Sequence, residues 1–126
     1  MPDTRVGVDL VDVPAFEARF SGRDAALAEV FTDAELAYCQ KQSRPWPHLA
    51  ARFAAKEALL KALTTGLTTA IRWRDIEIAR DPAGAPRLVV GGGAGEIMSR
   101  HGVGESSLSL SHTASHAVAV VVLFSA

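Results

Sequence analysis

Cysteine is almost absent. Cys39 stands alone among 126 residues, so no internal disulfide can form, and the chain suits a reducing, cytoplasmic setting. Long apolar runs are absent too. The longest, from Ala117 to Phe124, has the length of a strand and cannot span a bilayer. The opening Met1-Pro2-Asp3-Thr4-Arg5 meets Asp9 and Asp12 too soon to read as a secretory signal. No sign of charge is in excess. A formal net charge of −1 excludes a global basic field for nucleic acid or an anionic membrane, so any anion site must be local. No His/Cys grouping has zinc spacing, and no Ser-His-Asp set carries an elbow motif. Gly91-Gly92-Gly93 lacks the lysine and hydroxyl of a phosphate-binding loop. Repeats and low-complexity linkers are missing as well. The length supports one domain, residues 1–126, with a real core.

What is present is a run of strong helix formers, Arg52-Phe53-Ala54-Ala55-Lys56-Glu57-Ala58-Leu59-Leu60-Lys61-Ala62. It predicts a helix from about Pro47 to Leu63. Pro47 fits a first turn, where a missing N–H costs nothing, and Gly66 stands where a left-handed residue often stops a helix. Leu49, Phe53, Leu60 and Leu63 form a large apolar stripe; Ala51, Ala55, Ala58 and Ala62 form a small-residue stripe that admits another backbone closely. Glu57 and Lys61 are four apart and neighbours on one face. Two readings stay open: an exposed pair worth a few tenths of a kcal/mol, or a carboxylate and an ammonium held on a rigid rod for chemistry.

Upstream, Arg5 to Val13 is β-branched and reads as a strand. Asp9 interrupts it. Either the strand lies at an edge with Asp9 in water, or Asp9 is paired or bound to a metal. Gly7 marks a close backbone approach or a bulge. Pro14 opens a short helix over 15–20, and 24–30 reads as another. Thr32-Asp33-Ala34-Glu35 is a capping-box pattern for a helix from Asp33 to about Lys41, with Phe31 and Leu36 placed to staple its entry. Trp46 sits in a proline-punctuated loop, as a packing lid. Downstream, 73–79 and 86–90 read as a hairpin, 94–101 as a short helix, and 107–111 and 117–124 as a second hairpin. His112 and Thr113 sit at that hairpin's mouth. A lone turn histidine is ordinarily solvated or a local donor, and His48, His101 and His116 carry no stronger signal.

Three segments together resemble one family. Gly7-Val8-Asp9-Leu10-Val11 is similar to the opening Gly-x-Asp segment of holo-acyl-carrier-protein synthases. The Arg52–Ala62 run resembles that family's central signature, and Ser109-Leu110-Ser111-His112-Thr113 its closing segment. The strand beginning at Trp73 and the Gly84-x-Pro86 turn fit as well, in order and over nearly the whole chain. The resemblance implies an α+β fold, helices packed on a small antiparallel sheet, assembled as a homotrimer with sites at the subunit interfaces. It implies transfer of 4′-phosphopantetheine from coenzyme A to a serine of apo acyl carrier protein, with Mg²⁺ as the cofactor and release of 3′,5′-ADP. In that picture Asp9 and Glu57 are the metal ligands, and Lys61 contacts the phosphates and assists the leaving group. Arg52, His112 and Thr113 contact coenzyme A, with the loop around Gly66 beside it. Two departures stand out. Relatives commonly have Gly-Thr-Gly after the central helix, where this chain has Thr64-Thr65-Gly66. They also carry an arginine early in the first helix for docking the carrier, where this chain has Pro14-Ala15-Phe16; Arg19, Arg23 and Arg44 are the candidates to replace it. The rival of another class is a non-catalytic trimeric module that binds coenzyme A or the carrier; intact Asp9, Glu57 and Lys61 argue against it. A plain globular domain would show no heat of binding with coenzyme A and Mg²⁺.

Overall fold

The structure is a computed structural model and describes residues 3–66 and 70–126. Leu67, Thr68 and Thr69 of the loop expected after the central helix lie outside the described residues, as do Met1 and Pro2.

The chain begins with strand β1, Thr4–Asp12. Asp12 ends it and caps the next helix, its Oδ1 accepting from the Ala15 N–H at 2.9 Å. With Pro14 in the first turn, this cap starts α1 at Val13, earlier than the proline alone implied; α1 spans Val13–Phe20. Helix α2 covers Asp24–Val30 and α3 covers Asp33–Gln40. The capping box forms as expected: Thr32 Oγ1 accepts from the Glu35 N–H, and Glu35 Oε1 accepts from the Thr32 N–H at 2.8 Å. Phe31 is fully buried and Leu36 packs on the same cluster.

The central helix α4 is Pro45–Ala62. It begins two residues before the expected start, because Pro45 as well as Pro47 occupies a position whose N–H has no helical partner. Its C-terminal stop also differs from expectation. The left-handed residue is Thr64, at φ 52°, not Gly66. The Thr64 N–H donates to Lys61 O at 3.0 Å and the Thr65 N–H to Leu60 O at 2.9 Å. That pair of bonds is a Schellman closure, and it satisfies the last carbonyls before the chain reaches Gly66.

After α4, residues Trp73–Asp75 form one 3-10 turn rather than the expected start of a strand. Strands β2, Ile76–Arg80, and β3, Pro86–Val90, make an antiparallel hairpin. The three glycines do not break the chain: Gly91 caps helix α5, which runs over Gly92–Arg100. Strands β4, Val103–His112, and β5, His116–Ser125, are longer than expected and pair antiparallel. Among the described residues the sheets are thus two, a three-stranded one in the order β1-β5-β4 and the separate β2-β3 hairpin.

Helix α4 lies across the inner face of the larger sheet. A Cβ on Gly7 would overlap the Ala58 carbonyl, so the small-residue stripe of α4 does admit the β1 backbone. One core joins α4, α5 and the two sheets through Leu59, Leu63, Ile76, Ala94, Val121 and Leu123. A second is aromatic, with Phe16 5.4 Å from Phe53 and Phe53 5.2 Å from Trp73, ring centre to ring centre. Trp46 packs on Phe16 at 6.1 Å, as a lid over this core.

Candidate active site

Strand alternation fixes where Asp9 points. Gly7 faces α4 and is buried, so Asp9, two residues on, faces the same side. Val8 and Leu10 face outward. Glu57 comes from the middle of α4, and both carboxylates line one cleft of about 400 Å³, with Asp12, Phe16, Arg19 and Phe53 around them. Lys61 completes the group. Its Nζ donates to Asp9 Oδ1 at 2.8 Å and to Val8 O at 3.1 Å. The ion pair of Lys61 therefore runs to β1, not to Glu57 along its own helix. Burial first, then the Asp9 charge, raises the Glu57 carboxyl above its ordinary range, against the pull of Lys61 and Arg19.

This acidic cleft fits a hard divalent cation. Among the described residues no group of three or more metal-binding side chains exists, and two carboxylates suit Mg²⁺, which keeps most of its water or takes phosphate oxygens. Of the three candidate docking arginines, Arg19 stands on the rim of the cleft; Arg44 lines a different one, with Trp46 and Ala114.

A second cluster is cationic and lies toward the start of α4. Arg52 is only 5% exposed. Its Nη1 donates to His48 O at 3.3 Å, and its buried Nε has no hydrogen-bond partner among the described residues. Its guanidinium sits 4.4 Å from the centre of the Tyr38 ring, and so does that of Arg80. The His48 ring is 4.6 Å from that of His112, edge to face. Burial, then His112 and Arg52, lowers the pKa of His48. No carboxylate lies within ion-pair distance of Arg52 or Arg80 among the described residues. Uncompensated positive charge around a buried, unpaired N–H is what an anionic ligand such as phosphate would neutralise.

The sequence reading placed Arg52 and His112 here but passed over His48, Tyr38 and Arg80. The signal for His48 was its position one turn before Arg52. Tyr38 and Arg80 join through tertiary packing and left no local trace. Thr113 lies in the β4–β5 turn, where its Oγ1 accepts from the Ser115 and His116 N–H groups at 3.2 and 3.1 Å. Gly66 is exposed beyond α4 and lines neither cluster. The two clusters do not meet within the chain. Arg52 and Glu57 are five residues apart on α4, roughly 140° around its axis. His112 on β4 and Asp9 on β1 have β5 between them.

Comparison with known proteins settles the family. Residues 5–121 match the sequence model of the 4′-phosphopantetheinyl transferase superfamily. The chain belongs to this superfamily. The holo-acyl-carrier-protein synthase of Geobacter sp. (strain M21) is 45% identical over 118 residues, which span 93% of this chain and 94% of the relative. Among solved structures of the superfamily, the Chronobacterium ammoniagenes ACPS–CoA complex superposes with a TM-score of 0.82 at 32% identity, covering 98% of each chain. The Helicobacter pylori holo-acyl-carrier-protein synthase in complex with coenzyme A gives 0.81 at 30% identity, covering 94% of this chain and 98% of the other.

Proposed function

We propose that this transferase moves 4′-phosphopantetheine from coenzyme A to a serine of an apo acyl carrier protein. The serine oxygen forms a new bond to the phosphorus that bears pantetheine, and the hydroxyl proton is lost. The bond from that phosphorus to the bridging oxygen breaks, and 3′,5′-ADP leaves. The observation that carries this reading is the convergence of Asp9 from β1 and Glu57 from α4 on one cleft, with Lys61 bonded to Asp9.

Each residue has a part that follows from its place. Asp9 and Glu57 would hold Mg²⁺, which supplies charge stabilisation at the phosphate oxygens. Lys61 offers a point charge to the same phosphates and to the departing oxygen. Arg52 and His112, with His48 and Arg80 beside them, form the anion site for the other phosphates of coenzyme A. Thr113 shapes the turn that carries His112. No serine nucleophile is needed from this chain, because the carrier brings it.

The two clusters would form one complete site between subunits. The outer face of the main sheet supports this: Val6, Val8 and Leu10 on β1 are 65, 53 and 64% exposed, beside exposed Val120 and Phe124 on β5. A contiguous apolar face of this kind marks a protein interface, and we assign it to a homotrimer of this single-domain chain. No described helix is long and apolar enough to cross a membrane, in keeping with a cytoplasmic enzyme of fatty-acid or polyketide assembly.

Incubation with coenzyme A, Mg²⁺ and apo carrier protein tests the reading by intact mass. The carrier should gain one phosphopantetheine. Asp9→Ala and Glu57→Ala should each slow the gain by about 10²-fold or more, with far-UV dichroism unchanged. Undiminished transfer by both variants would overturn it.

A further inference from the structure

We infer that Lys61 competes with the divalent cation for Asp9, so that the cation binds tightly only once a substrate phosphate has drawn the lysine away. The inference rests on the reading that Asp9 and Glu57 hold the cation. Its basis is the ion pair itself. Asp9 Oδ1 already accepts from Lys61 Nζ at 2.8 Å, and Val8 O steadies the same ammonium at 3.1 Å. The other carboxylate oxygen remains open to a metal, but a doubly charged ion held there would be repelled by the ammonium bonded to Oδ1 of the same carboxylate. The two partners differ in freedom. The Asp9 side chain is 16% exposed and fixed on a strand; that of Lys61 is 54% exposed and carried on a flexible stem. The lysine can therefore leave while the carboxylate stays.

The diphosphate of coenzyme A gives Lys61 a better place to go. It carries several anionic oxygens against the single carboxylate, and the half-exposed Lys61 lies one turn beyond Glu57 on α4. Moving the ammonium from Asp9 to a phosphate would remove that repulsion and leave both Asp9 oxygens, beside Glu57, to hold the cation. Metal and coenzyme A should then favour each other's binding by one common factor, as linkage requires. The arrangement would keep the cleft from holding a stray cation when no substrate is present.

Mn²⁺ serves as the probe, with free ion followed by electron paramagnetic resonance and a protein-free control for Mn²⁺ held by coenzyme A itself. Wild type, Lys61→Met and Arg19→Met are titrated with and without coenzyme A. Arg19 lines the same cleft without bonding Asp9, so its variant reports the general loss of positive charge. Without coenzyme A, Lys61→Met should bind Mn²⁺ about fivefold more tightly than wild type, the scale set by a partly exposed ion pair. Arg19→Met should change affinity by a smaller factor. The gain on adding coenzyme A should be larger for wild type than for Lys61→Met. Equal affinity of wild type and Lys61→Met without coenzyme A would overturn the competition and leave the two-carboxylate reading standing. Equal tightening by both variants would overturn it too, as an effect of the general field. Wild type that binds no Mn²⁺ even with coenzyme A would sink both readings together.

Discussion

Thr64 holds a conformation its side chain disfavours. At φ 52° it is a β-branched residue in the left-handed region, which costs about 1–2 kcal/mol relative to a residue without Cβ. Glycine would suit the place: the Schellman closure demands a positive φ at the second residue past the helix. Local propensity concealed this, because the nearest glycine is Gly66 and a threonine does not announce a left-handed turn. The hydroxyl offsets part of the strain by donating to Leu63 O at 2.7 Å. Thr64→Gly should stabilise the protein by roughly 0.5–1 kcal/mol, the strain relieved less the extra freedom of glycine in the unfolded chain. Urea unfolding with an unchanged slope and a higher midpoint is the expected record. A lower midpoint would mean that the hydroxyl bond outweighs the strain.

Helix α4 was the most legible element, since alanine, leucine and charged helix formers over one long stretch admit few alternatives. Gly7, read as a close approach or a bulge, and the alanine stripe, read as admitting another backbone, turn out to meet each other. What the pattern hid was which charges point inward. Lys56 is fully buried, and its Nζ reaches Glu35 Oε1 at 2.8 Å, Val30 O at 2.9 Å, Ile76 O at 2.6 Å and Trp73 O at 3.2 Å. Glu35 in turn accepts from the Ile78 N–H at 2.9 Å and the Thr32 N–H at 2.8 Å. One ammonium thus ties α4 to α3, to the end of α2 and to the start of β2. Burial pulls the Lys56 pKa below its ordinary value, and Glu35 opposes that pull. Sequence reading treats Glu35 as a helix cap and Lys56 as part of a motif; their pairing joins residues 21 positions apart, which no periodicity records. Lys56→Met should cost about 3–5 kcal/mol, because it leaves Glu35 charged and buried without its partner. Thermal unfolding would show it as a large fall in midpoint. A loss under about 1 kcal/mol would mean that the neighbouring N–H groups suffice to hold Glu35.

For the whole molecule, the alternation of β4 and the apolar β5 announced a hairpin, and the order of motifs announced the family. The separation of the β2-β3 hairpin from the main sheet was not visible, since strand pairing partners are chosen by packing across the core rather than by local pattern. Nor could alternation alone show that the outward face of the main sheet is apolar on two adjacent strands. In the register of that sheet Val120 on β5 stands between Val8 on β1 and Ser109 on β4, at the middle of the face we assign to the trimer. Glutamate in place of Val120 would remain solvated in an isolated chain, so the fold should survive. In the trimer it would bury a charge without a partner, at a cost of several kcal/mol per subunit. Val120→Glu should therefore convert the trimer to folded monomers by sedimentation velocity. It should also lose carrier modification, because in the proposed trimer the cationic cluster of one copy would no longer face the acidic cleft of the next. Mixing it with Asp9→Ala should restore nothing. A monomeric Val120→Glu protein that transfers at the wild-type rate would place the whole site within one chain.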